Sequence, residues 1–69
     1  MINKKQLIKD ARNFDASQQW IVLYQDDMQI AVIDTPQELT CIEDAGLFEI
    51  TSEDKSLRIF ADRYELISY

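Results

Sequence analysis

The sequence predicts one α+β domain spanning residues 1–69, in the order α-β-β-α-β-β, with helices packed on an antiparallel sheet of two hairpins. Three observations lead there. Leu7, Ala11 and Phe14 recur at i, i+4 and i+7, the period of a helix with one apolar face. Two pairs of β-branched and aromatic runs, within 20–33 and 47–61, are each interrupted by a polar turn. Finally, 69 residues of which 46% are hydrophobic make one domain's length and a folded chain's apolar content.

The helix opens at Asn3, which stands as N-cap with Gln6 three residues on, the form of a capping box. Ile8 borders its apolar stripe, while Lys4, Lys5, Lys9 and Arg12 face elsewhere. Asn13 and Asp15-Ala16-Ser17 end it with residues that favour turns. The first hairpin follows from Gln19 to Asp34. Trp20 to Tyr24 is apolar at five consecutive positions, as in a central strand covered on both faces. Asp26-Asp27 supplies the turn in place of a glycine, and Met28, Ile30 and Val32 share one face of the returning strand.

Thr35-Pro36-Gln37-Glu38 carries a helix-start pattern: Thr as N-cap, Pro at the first helical position, Glu at the third. Leu39 and Ile42 follow at helical spacing, and Gly46 stands where a helix would end. A short helix from Pro36 to about Ala45 is therefore expected. The alternative is a strand through Leu39-Thr40-Cys41-Ile42, which makes the chain a small bent β-barrel with an N-terminal helix. The second hairpin pairs Leu47–Thr51 with Leu57–Ala61 around Ser52-Glu53-Asp54-Lys55. The tail from Asp62 holds Tyr64, Leu66, Ile67 and Tyr69, too apolar to stay undocked, and forms a last strand or a helical turn. The expected core is Leu7, Trp20, Val22, Ile30, Val32, Ile50 and Ile59.

Composition argues against catalysis. There is no histidine, which removes the usual base near neutral pH and the commonest zinc ligand. The single glycine, Gly46, excludes phosphate-cradling loops, which need at least two. No cofactor or metal site is expected. A chain this short buries only about 60% of its unfolded surface, so a deep pocket would consume its core. Cys41 is the lone cysteine, which fits a reducing compartment. No apolar run approaches the ~20 residues of a membrane helix, and the first six residues lack a signal-peptide apolar region. The expectation is a soluble, cytoplasmic, non-enzymatic protein with no membrane partner.

Charge is uneven along the chain. The net charge is −6, yet residues 1–12 hold four bases and one acid, while residues 13–69 hold three bases and twelve acids. Direct nucleic-acid binding by so acidic a body meets repulsion. Three adjacent acid pairs, Asp26-Asp27, Glu43-Asp44 and Glu53-Asp54, fall at expected turns or a helix end. Such carboxylates serve as solvated turn residues, or as an array imitating a phosphate backbone before a basic, nucleic-acid-associated protein. The leading expectation is thus an inhibitor or regulator of such a partner, of the kind that phages and mobile elements encode. The other is a structural subunit or homodimeric module, with Tyr64 and Tyr69 in the tail as candidate interface anchors.

Overall fold

The computed structural model describes residues 2–43, 46–52 and 54–69, with Glu43 described in its backbone alone. Helix α1 (Lys4–Asn13) precedes six strands: β1 (Gln19–Gln25), β2 (Met28–Ile33), β3 (Glu38–Glu43), β4 (Leu47–Ser52), β5 (Lys55–Phe60) and β6 (Arg63–Ser68). All ladders are antiparallel and form two three-stranded sheets, ordered β2-β1-β6 and β3-β4-β5. The α+β class holds, and the sheets do not close into a barrel.

Helix α1 forms for the reasons its sequence gives. The Asn3 side chain accepts a hydrogen bond from the Gln6 backbone N–H at 3.1 Å. The Gln6 side-chain amide N–H donates along the helix to Asp10 Oδ1 at 2.9 Å. Leu7, Ala11 and Phe14 are buried, against Ile21, Leu23 and Ile33 of the first sheet and Leu39 and Phe48 of the second.

The helix expected from Pro36 to Ala45 is replaced by strand β3, within its described residues. Thr35 caps no helix: its Oγ1 accepts from the Gln37 side chain at 2.9 Å. The Gln37 N–H is taken by the Ala11 carbonyl at 2.9 Å, which ties the chain to α1 just before the strand begins. Beyond it the period is two, not 3.6. Leu39 is fully buried and Cys41 half-buried, while Thr40 and Ile42 are exposed, and the ladder to β4 takes the backbone groups a helix would have paired. Sheet pairing outweighs the local capping signal. The tail resolves as strand β6 on β1.

The first hairpin turns at Asp26 and Asp27, whose φ angles of 52° and 64° are both left-handed. Such two-residue turns follow the right-handed strand twist, and aspartate tolerates them better than most residues. Asp27→Gly should relieve this strain and raise stability by up to ~1 kcal/mol in urea denaturation.

The core differs from expectation in the phase of the first sheet. Ile21 and Leu23 point to the helix and second sheet, joined by Ile33 and Ala31 of β2. Ile30 and Val32, expected inside, are 39% and 48% exposed. Leu7 and Val22 are buried as expected, whereas Trp20, Ile50 and Ile59 are half-buried. A one-residue shift of phase exchanges the two faces of a strand, and an apolar run such as Trp20–Tyr24 carries no alternation to set it.

Candidate functional site

Because the strands alternate in direction, the Asp26-Asp27 turn, Gly46 and the Ala61-Asp62 corner meet at one end of the domain. The Ala61 N–H donates to the Gly46 carbonyl at 3.0 Å, and the Asp62 N–H to the Tyr24 carbonyl at 2.9 Å. Asp62 Oδ2 accepts from the Asp26 N–H at 3.0 Å, fastening the hairpin tip to the corner. Three carboxylates therefore occupy this end: Asp26, Asp27 and Asp62. Arg63 lies among them, and Ile2 and Asn3, just before α1, line a shallow cleft with Asp62 and Arg63. The Arg63 guanidinium lies 4.0 Å above the Tyr24 ring, 3.7 Å from Asp27 Oδ1 and 2.6 Å from Glu65 Oε1. These pairs are open to water, so each contributes well under ~1 kcal/mol. The carboxylates do not converge: among the described residues no three of His, Cys, Asp or Glu are placed to hold a metal ion.

Among the described residues, Asp26-Asp27 and Asp54 lie apart. Asp26-Asp27 lies in the acidic end. Asp54 lies at the opposite end, after β4, about a strand length (~20 Å) away. It lines a shallow cleft of about 720 Å³ with Thr35, Glu38 and Lys55 among others. Asp44, Glu53 and the side chain of Glu43 lie outside the described residues. Asp62 joins the site without having been singled out. Its signal in the sequence is its place between two strands, where a carboxylate can hold a neighbouring turn.

The two tail tyrosines separate. The Tyr64 hydroxyl donates to Asp10 Oδ2 at 2.9 Å, bridging β6 to α1. Burial first, then this hydrogen bond and the charge of Asp10, push its pKa up to about 12 from 10.0. The folded state holds this proton more tightly than the unfolded chain, so the contribution is complete below pH 10.0 and lost as pH rises to about 12. Alkaline titration followed by circular dichroism should show a loss of stability across that window, and Tyr64→Phe should remove this component. Tyr69 is 87% exposed, its ring 4.8 Å from that of Trp20 and its N–H on the Gln18 carbonyl at 2.8 Å.

Elsewhere, Arg12 pairs with Glu38 at 2.7 Å across an exposed contact between α1 and β3, and Lys5 and Lys9 are exposed on the same helix. Asp15 has its pKa lowered by hydrogen bonds from the Ser17 hydroxyl and N–H, at 2.6 and 3.0 Å. A second cleft of about 260 Å³ is lined mainly by Ala31, Ile33, Ile50 and Leu57, with Lys55 and Asp34 also on its wall. No helix among the described residues is long and apolar enough to cross a membrane. Comparison with protein families, curated proteins and solved structures finds no match to this chain.

Proposed function

We propose that the domain is a non-enzymatic, cytoplasmic protein-binding module that inhibits or regulates a basic, nucleic-acid-associated protein, in the manner of phage- or mobile-element-encoded inhibitors. The supporting observation is the acidic end, where backbone hydrogen bonds tie Asp26 to Asp62 and Asp62 to Tyr24, Asp27 lies in the same turn, and the Arg63 charge is shared between Asp27 and Glu65. Carboxylates projecting from a short turn whose backbone is tied down meet the Lys and Arg groups that a phosphate backbone would otherwise engage. The lone Cys41 and the absence of histidine fit a reducing compartment and a binding role.

The test is capture from a host lysate on immobilised protein, with mass spectrometry, at ~0.1 M and ~1 M NaCl, with and without duplex DNA. The expected result is a nucleic-acid-binding protein that is lost at high salt and displaced by DNA. Capture that resists salt and ignores DNA contradicts the proposal.

A further inference from the structure

The two sheets present unlike outer faces. On the second, the register places Thr40 beside Glu49, Glu49 beside Arg58 and Thr51 beside Ser56, with Arg58 and Glu49 paired at 3.1 Å. That centre is polar and solvated, with Phe60, 47% exposed beside Leu47, and Ile42, 41% exposed, at one end of the face. On the first, Trp20 stands beside Ile67, and Val22, already covered at 3% exposure, lies between Val32 and Glu65, with Ile30 at the bulge between Leu23 and Tyr24. Val32 is 48% exposed, and the Trp20–Tyr69 aromatic pair closes one end. Arg63, Glu65 and Tyr24 form a polar margin around this apolar centre. An apolar centre with aromatic anchors and a charged rim is the composition of a protein interface.

The edge strands point the same way. β3 carries Glu38 and Glu43, β5 carries Lys55 and Arg58, and β6 carries Arg63 and Glu65. β2, Met28 to Ile33, holds no charged residue, although charge is the usual guard of an edge strand.

We propose that a second copy of this chain docks on the outer face of the β2-β1-β6 sheet, about a two-fold axis near Val32. A two-fold contact sets a patch against itself, so the patch must be self-complementary. On a chain of net charge −6, this face carries one acid and one base, Glu65 and Arg63, paired at 2.6 Å, with Arg63 also 3.7 Å from Asp27 at its border. A basic partner gains little there and is drawn to the acidic end instead. A stable dimer covers roughly 800 Å² per partner. That is about one-sixth of the 4777 Å² exposed by this chain, which one side of a 31 × 28 × 19 Å body can supply. The face borders the acidic end at Arg63 and Tyr24, and salt separates the two readings. Two copies of net −6 repel, so screening strengthens their association while it weakens capture of a basic partner.

Sedimentation equilibrium over micromolar to millimolar protein tests this. The wild-type mass should rise from 8.1 kDa toward twice that value, and more readily at ~1 M than at ~0.1 M NaCl. Val32→Glu should weaken association about tenfold or more with an unchanged circular dichroism spectrum. Thr40→Glu, on the other sheet, should leave association unchanged. A wild type that stays at 8.1 kDa, or a Val32→Glu variant that associates like it, overturns the proposal. Should Val32→Glu not fold, the wild-type Trp20 emission decides. It shifts to the red on dilution if the face opens, and a constant spectrum while the mass falls overturns the proposal.

Discussion

Phe48→Ala is expected to leave little folded protein at room temperature. Phe48 is the largest fully buried side chain, at 0% exposure, in one cluster with Leu7, Ile21, Leu23 and Leu39. Truncating a buried phenylalanine costs about 3–5 kcal/mol, the lost transfer energy plus that of the cavity left behind. At ~0.05–0.15 kcal/mol per residue, a domain this short has a total stability of only about 3–10 kcal/mol. Urea denaturation should show the transition shifted far down or absent. Ile30→Ala, on a side chain 39% exposed, should cost under ~1 kcal/mol in the monomer. The reverse order would place the core on the other face of the first sheet.

Gly46→Ala is expected to be damaging for a different reason, backbone geometry. Gly46 has φ +94°, where an L side chain is strained, and an added Cβ would lie 2.7 Å from the Ala61 carbonyl oxygen. That atom is backbone, so it cannot swing aside as a flexible side chain could. The same contact carries the Ala61 N–H to Gly46 carbonyl bond, at the corner that also holds Asp62 against the Asp26 turn. Left-handed strain alone costs ~1–2 kcal/mol, and the clash brings the expected loss to at least ~2 kcal/mol. Amide exchange should accelerate at Ala61 and Asp62 before it does in β1. A variant as stable as wild type, with Ala61 still protected, contradicts this view of the corner.

Where a local signal also served the tertiary structure, the sequence was readable. The Asn3 cap, the Leu7-Ala11 stripe, the Asp26-Asp27 turn and both hairpins are of this kind. Thr35-Pro36-Gln37-Glu38 misled because a capping pattern is worth about 1 kcal/mol, less than a ladder to β4 plus the burial of Leu39. The phase of β1 was hidden because Trp20 to Tyr24 has no polar residue to mark the outside. Site residues were legible by type and not by place. Asp26 and Asp27 could be named as turn acids, but their neighbour Asp62 comes from 36 residues along the chain, through a corner that only the fold creates.

The central claim is that the carboxylates of the Asp26-Asp27-Asp62 end attract a basic partner. Its most direct measurement is the association rate with the captured partner, for wild type and for Asp26→Asn/Asp27→Asn/Asp62→Asn, across a salt series. Asparagine tolerates the left-handed turn and can still accept the Asp26 N–H hydrogen bond, so the fold should persist. The prediction is a wild-type rate that falls steeply between ~0.1 M and ~1 M salt, and a variant that associates slowly at low salt with a flatter dependence. Equal rates and equal salt slopes for the two proteins would contradict the claim.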